Sequence, residues 1–394
     1  MAGREGAKMR AARRAALIAG LAAAATASAE IPACDSTAWR SDFERLKADM
    51  AQNYANLDWI AERRGLDLAA LARETSRAIG SAGSDAGAAR VLERFIERFR
   101  DPHLQLAGRE ESGAAEDIGS TDPPVPGCAA GGYREGRHGF RFPVERLPGW
   151  RPLAGGNFPA GMTGSTGVLR LAELGESQYL SACAERFRTG IGERSLQLEV
   201  RSALQAELRS RVVQLRRAGA RTLVVDVSRN GGGSEWAREA VALFTGRKLE
   251  RQAPRRVGPG CDRRGVWEGK RAACSVFARA GPPLRIAGEG AWRGPLLLLI
   301  DGDTASAAEE FVAWFKDNDA ATLVGARTYG AGCGYVDGGA RTRLRAFPRD
   351  VRMPNCARFL KDGTNEIEGI APDVELPMKA PDEAADALAR LLAG

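Results

Sequence analysis

The sequence predicts an α/β protein: a mostly parallel β-sheet core with flanking helices, preceded by a small N-terminal helical domain. Three observations predict it. The stretches "TLVVDV" (222–227), "PLLLLI" (295–300) and "ATLVG" (321–325) are apolar without alternation, as strands buried on both faces are. Stretches of helical period lie between them, so strand and helix alternate along the chain. The 394 residues are 44% hydrophobic and 27% charged, the balance of a folded chain with a sizeable core.

Residues 1–29 read as a signal peptide. Arg4, Lys8, Arg10, Arg13 and Arg14 form a positive start, "AALIAGLAAAATA" is a short apolar run, and Ala27-Ser28-Ala29 fits a cleavage site. That run is shorter than the roughly 20 apolar residues of a membrane-spanning helix, and no later stretch is longer, so no stable membrane insertion is expected. The segment holds five basic residues and one acidic residue, so the net charge falls from +7 to +3 without it. The remaining arginines are dispersed, which argues against a nucleic-acid partner. A periplasmic or secreted location follows.

Residues 30–107 read as the helical domain, ending in a strand that carries His103. Phe43, Leu46, Met50, Tyr54 and Leu57 make one apolar face, and Val91, Leu92, Phe95, Ile96 and Phe99 another. Pro102 disfavours a helix running through "RDPHLQL". Residues 108–165 are rich in Gly and Pro and read as an irregular excursion with one strand at "FRFPV". From 166 to 394 the α/β core follows, with a strand at "GVLRLAEL" and a helix through Leu204, Leu208, Val212 and Leu215 that Gly219 ends. Ser234 caps the helix in "SEWAREAVALF". Residues 250–293 form a second irregular, arginine-rich stretch.

The seven cysteines lack CxxC spacing, and no metal site is expected. An oxidising compartment favours disulfides. Cys261 with Cys274 and Cys333 with Cys356 are the favoured pairs, Cys128 with Cys183 is a further candidate, and one cysteine is left over.

Ligands of such sheets sit beyond the carboxyl ends of the strands. Two strand ends carry unusual residues. "SRNGGG" after 227 lets backbone N–H groups approach a ligand, and in "DGDTASAAEE" Ser306 stands where a helix starts. A serine there is ordinarily an N-cap. Beside unpaired amides it is also a nucleophile with an oxyanion hole, which is what acyl transfer needs. The chain has two histidines. His138 lies in a polar stretch and reads as an exposed surface residue. His103 shares one strand face with Gln105, opposite Leu104 and Leu106, and is the better general base.

"LVVDVSRNGGG", "IDGDTASAAEEFVAWFKDNDAATLVGARTYGAG" and "IEGIAPDVEL" resemble, in this order, the tail-specific (C-terminal-processing) serine peptidases, a family that includes tricorn-type peptidases and retinoid-binding relatives. The resemblance covers about 165–378, and the N-terminal helices with "DPHLQL" resemble its branch without a PDZ domain. It implies a ClpP/crotonase-like core, Ser306 as nucleophile, Glu309 as the acidic residue one turn later, and no cofactor. It also implies an oxyanion hole from Gly232, with Gly231 as neighbour, and Ala307. The lysine of the processing branch falls at Ala331, so the Ser-Lys dyad is absent, while Lys316 belongs to the polar face of its helix. The tricorn-like branch uses a histidine after an Asp-x-His signature, which "DPH" (101–103) matches. A glutamate before "GIAPD" then assists it: Glu366, or Glu368 close behind. The expectation is an exported serine peptidase acting on protein or peptide substrates by a Ser-His(-Glu) mechanism. The alternative is an inactive binding protein on the same fold. An esterase ranks lower, because the GxSxG elbow is missing.

Overall fold

The computed structural model describes residues 35–108, 122–347 and 349–393. The proposed signal peptide and Cys34 lie outside the described residues. Helices α1 (Ser36–Asn53), α2 (Leu57–Arg63), α3 (Leu68–Gly80) and α4 (Asp85–Glu97) open the chain. Short acceptors start three of them: Asp35 takes Thr37 N and Ala38 N, Asp67 takes Ala70 N, and Ser84 takes Gly87 N.

Strand β1 (Gln105–Gly108) follows, then β2 (Arg151–Ala154), β3 (Ala160–Thr163), β4 (Thr166–Arg170), helices α5 (Leu180–Arg186) and α6 (Glu193–Arg217), and β5 (Thr222–Asp226). Helix α7 (Trp236–Leu243), β6 (Lys248–Arg251), β7 (Arg255–Arg256), β8 (Leu284–Ala287) and β9 (Leu296–Ile300) come next. Helix α8 (Ala307–Lys316), β10 (Thr322–Gly325), β11 (Ala340–Arg343), β12 (Arg349–Met353), β13 (Cys356–Ala357), β14 (Val374–Glu375) and α9 (Pro381–Ala393) complete the chain.

The main sheet has the order β14-β10-β9-β5-β4-β3-β2. It is parallel from β14 to β4 and antiparallel at the β3 and β2 edge. Val225, Leu298, Ile300 and Leu323 pack on one face with α6, α7 and α8, while Val224, Leu299 and Val324 pack on the other with α9. This two-sided burial is why the central strands are apolar throughout.

Two expectations about the irregular stretches need correction. "FRFPV" forms no strand: Pro143 leads into a short 3-10 turn at Val144–Arg146, since proline lacks the N–H that a strand ladder needs. The strands of that region are β2 and β3. The stretch 250–293 is likewise not structureless, because it carries β7 and β8 and the 3-10 segment Arg264–Glu268.

The helical region does not close on itself. Its core of Phe43, Leu46, Leu92, Phe95 and Phe99 also takes in Trp267, Leu344, Val351, Met353 and Ile367. Buried Arg263 closes the end of α1, donating to Ala51 O (2.8 Å), Tyr54 O (2.9 Å) and Met50 O (3.3 Å). Strand β1 pairs antiparallel with β12, Gln105 opposite Arg352, in a three-stranded sheet β1-β12-β11. His103 itself lies in the turn just before β1, not on the strand expected to carry it, and β1 ties that turn to the last third of the chain.

Three disulfides link Cys128–Cys183, Cys261–Cys274 and Cys333–Cys356. Among the described residues no helix is long and apolar enough to cross a membrane, and no group of His, Cys, Asp or Glu is arranged to hold a metal ion.

Phe95 meets the rings of Phe43, Phe99 and Trp267 with centroids 5.0, 5.3 and 6.1 Å away. Phe95→Ala is expected to lower stability by about 3–5 kcal/mol in chemical denaturation. A loss well below 1 kcal/mol would show that helix α4 and the segment around Trp267 do not share a core.

Candidate active site

Strand β9 ends in "DGDT", and the turn ties itself to the end of β5. Asp301 Oδ1 accepts Arg229 N (2.8 Å) and Asp303 N (3.1 Å), Thr304 Oγ1 donates to Val227 O (3.0 Å), and Ala305 N donates to Asn230 O (2.9 Å). Ser306 emerges from this clamp with φ +55°, an uncommon conformation for a residue with a Cβ, costing about 1–3 kcal/mol. Its neighbour Ala307 begins α8, and the Ala307 N–H has no hydrogen-bond partner among the described residues.

The imidazole of His103 lies over this turn. Nε2 is 3.3 Å from Ser306 Oγ, and Nδ1 is 2.8 Å from the carbonyl oxygen of Ala331. A carbonyl can only accept, so Nδ1 carries the proton and Nε2 presents its lone pair to the serine hydroxyl. Burial pushes the His103 pKa below the ordinary value of 6.5; Asp101 and the Ala331 bond oppose this, and Arg358 and Arg352 reinforce it. The ring is therefore neutral at neutral pH.

Asp101 sets the turn that aims the ring. One oxygen accepts His103 N (2.9 Å), and the other accepts Tyr54 Oη (2.8 Å) and Asn56 Nδ2 (3.1 Å). Tyr335 Oη donates to His103 O (2.6 Å), and its ring meets the imidazole edge-on. Gly334, at φ +71°, brings bare backbone against the imidazole: a Cβ there would sit 3.0 Å from Nε2.

The sequence model of peptidase family S41 matches residues 166–376, more than half of the chain. The chain belongs to peptidase family S41. It is thus a serine-type peptidase, and its substrates are proteins or peptides. The S41 fold extends well beyond that match. Mature CPAF in complex with lactacystin superposes with a TM-score of 0.64 at 15% identity, over 91% of this chain and 98% of that one. A protein from Parabacteroides merdae gives 0.53 at 17% identity, over 90% and 97%. Both share the fold of this S41 peptidase. No curated protein matches its sequence significantly.

Ser306, His103, Ala307, Glu309 and the glycine turn come together in this S41 peptidase. Glu309 is fully buried. Its carboxylate accepts Ser306 N (3.0 Å), Ala331 N (2.9 Å), Gly330 N (2.7 Å) and Thr328 Oγ1 (2.6 Å). Burial raises its pKa against the pull of those bonds.

Glu366 and Glu368 are not brought to the imidazole, because Nδ1 is already held by Ala331 O. Buried Glu366 is ion-paired to Arg251 and to Arg358 Nε (2.6 Å), and Glu368 accepts Trp59 Nε1 (2.9 Å) and Arg64 Nε (3.2 Å). Burial would raise the Glu366 pKa, but Arg358 and Arg251 hold it below the ordinary value.

Gly232 also differs from expectation. Its N–H already donates to Asn230 Oδ1 (2.9 Å), whereas the Gly231 N–H has no partner among the described residues. Lys316 pairs with Asp373 away from the serine. His138 is not a surface residue: it is buried and stacked on Tyr179 with centroids 4.5 Å apart, because the loop that carries it folds back over α5.

A backbone carbonyl as the orienting group left no trace in the sequence, since any residue supplies one. Asp101 was legible as an Asx turn, an aspartate whose side chain bonds the amide two residues on.

Gly232 has φ +104°, and a Cβ there would lie 2.7 Å from Ala307 N and 2.8 Å from Ser306 Cβ. Gly232→Ala is expected to lower kcat on denatured casein about 10²-fold by displacing the nucleophile. Wild-type kcat in this variant would show that the turn yields without moving Ser306.

Proposed function

We propose that the chain is an exported serine peptidase that hydrolyses peptide bonds with a Ser306–His103 pair and without a lysine base. The observation that carries this reading is the two-sided hold on one imidazole, with the Ala331 carbonyl at Nδ1 and Ser306 Oγ at Nε2. The position matching the family lysine is Ala331, whose methyl has no basic group, and its carbonyl takes the orienting role instead. The signal at 1–29 and the three disulfides support export to an oxidising compartment.

In the acylation step, His103 Nε2 removes the hydroxyl proton as Ser306 Oγ attacks the substrate carbonyl carbon. The C=O electron pair becomes an oxyanion, which the unpaired amides of Ala307 and Gly231 stabilise. Gly232 joins them only by releasing Asn230 Oδ1. The imidazolium keeps its Nδ1–H on Ala331 O, with Asp101 nearby to favour the charge. It then protonates the leaving amine, the C–N bond breaks, and an acyl-enzyme on Ser306 remains. Water, deprotonated by the same imidazole, then attacks the ester carbonyl; the C–Oγ bond breaks, the imidazolium returns its proton to Ser306 Oγ, and the carboxylic acid product leaves. The 3.3 Å contact to Nε2 is long for a proton transfer and shortens when substrate fills the site.

Glu309 is the positioning group between the two halves. It bonds the amide of the nucleophile and the amide of the residue whose carbonyl orients the base.

Ser306→Ala and His103→Ala are each expected to abolish turnover of denatured casein, and a fluorophosphonate probe is expected to label Ser306. Full activity in His103→Ala would remove the mechanism. Absence of labelling with tight binding of an apolar ligand would favour a binding protein instead.

The base works only when neutral, and its pKa lies below 6.5. Going down in pH, kcat/KM is therefore expected to hold through 6.5 and to fall only below it, as His103 takes up a proton. A fall already complete above pH 7 would contradict a buried imidazole base.

A further inference from the structure

We propose that Arg358 is a positioning residue of the hydrolytic site, locking the nucleophile and the carbonyl that orients the base into one rigid unit. The inference rests on the Ser306–His103 reading above. Arg358 follows β13 and is 5% exposed. Its Nη2 donates to Ser306 O (2.8 Å) and to Gly332 O (2.7 Å), its Nη1 to Glu310 Oε2 (3.0 Å), and its Nε to Glu366 Oε2 (2.6 Å). One planar group thus reaches four acceptors on three segments: the start of α8, the loop at Gly332 and the turn at Glu366. Two of them matter most. Ser306 O belongs to the nucleophile, and Gly332 O is one peptide beyond the Ala331 carbonyl on His103 Nδ1.

Three separate features converge on this arrangement. Ser306 is held at φ +55°, and a bond to its carbonyl opposes relaxation of that peptide. Cys356, two residues before Arg358, is bridged to Cys333, next to Gly332, so both sides of the contact are also tied covalently. The guanidinium charge is balanced by Glu310 and Glu366, which are themselves bonded to Arg238 and Arg251. This gives Glu366 a role at a distance: it orients the arginine, and the arginine orients the site. Glu366, three residues before "GIAPD", then acts on the base through a fork of N–H donors, while Glu368 takes no part.

The charge has a second effect. The groups around His103 are Asp101 on its own loop, Arg352 on β12, Arg358 after β13, and uncharged Tyr335. Of these, the two arginines disfavour the imidazolium. Lysine would keep the charge, but three donors on one nitrogen cannot span four acceptors in a plane. Glutamine removes the charge as well.

The test uses the full chain, with denatured casein for turnover and a fluorophosphonate probe for nucleophile reactivity. Arg358→Lys is expected to lower kcat and the labelling rate about 10²-fold with KM nearly unchanged, while the acid limb of kcat/KM stays in place. Arg358→Gln is expected to show the same loss and to move the acid limb to higher pH, because the cation that disfavours imidazolium is gone. If a single variant fails to fold in thermal unfolding, the charge-balanced pair Arg358→Gln with Glu366→Gln carries the kcat and labelling comparison. Wild-type labelling and an unmoved acid limb in the folded variants would overturn the inference while the serine mechanism stands. Failure of Ser306 to label in the wild-type protein would remove that mechanism, and this inference with it.

Discussion

The Glu309 carboxylate organises much of what surrounds the serine. A fully buried carboxylate is costly unless its lone pairs are taken, and here two oxygens receive four donors. Those donors come from Ser306, Thr328, Gly330 and Ala331, so one side chain on α8 determines where the loop after β10 can run. The loop in turn supplies the carbonyl for His103, the glycine that faces its ring, and the tyrosine beneath it. Remove the acceptor and two buried amides, the half-buried amide of Ser306 and a hydroxyl lose their partner together. The geometry of the His103 imidazole is thus a consequence of how a carboxylate next to Ser306 is satisfied.

The electrostatics follow the same logic. Among the described residues no carboxylate touches the imidazole; a neutral carbonyl fixes its tautomer, and the buried carboxylates Glu310 and Glu366 face arginines instead. A carbonyl orients the ring without stabilising the imidazolium as strongly as an ion would, which fits a base kept neutral by burial. The network of Arg251, Arg358, Glu310, Glu366 and Asp317 is paired throughout, so its charges are tolerable inside the protein.

Much of the fold was legible because it rests on local patterns. Apolar runs without alternation gave the central strands, and Gly219 and Pro102 marked helix ends through well-understood backbone effects; the N-cap of α7 is Glu235 and not Ser234, whose Oγ accepts Trp236 N (3.1 Å) from one residue earlier. The site was partly legible for a similar reason: Ser306 at a helix start and the glycine turn are local features, and "DPH" is a local turn. What stayed hidden depends on tertiary placement. Nothing in the sequence says that Ala331 contributes its carbonyl, that Gly232 spends its amide on Asn230, or that Glu366 faces arginines. His138 was misread because a polar stretch can still fold a ring against Tyr179. "FRFPV" forms no strand because Pro143 leads into a 3-10 turn.

The pairing of β1 with β12 also bears on when this protein becomes dangerous. The proposed base and nucleophile, His103 and Ser306, are 203 residues apart, and the strand beside His103 is held in register by residues later than either. A growing polypeptide therefore possesses both reactive side chains well before it can align them. Alignment of the two side chains thus waits on a strand made after both of them, so a chain shortened before β12 would hold the pair without the register that sets it.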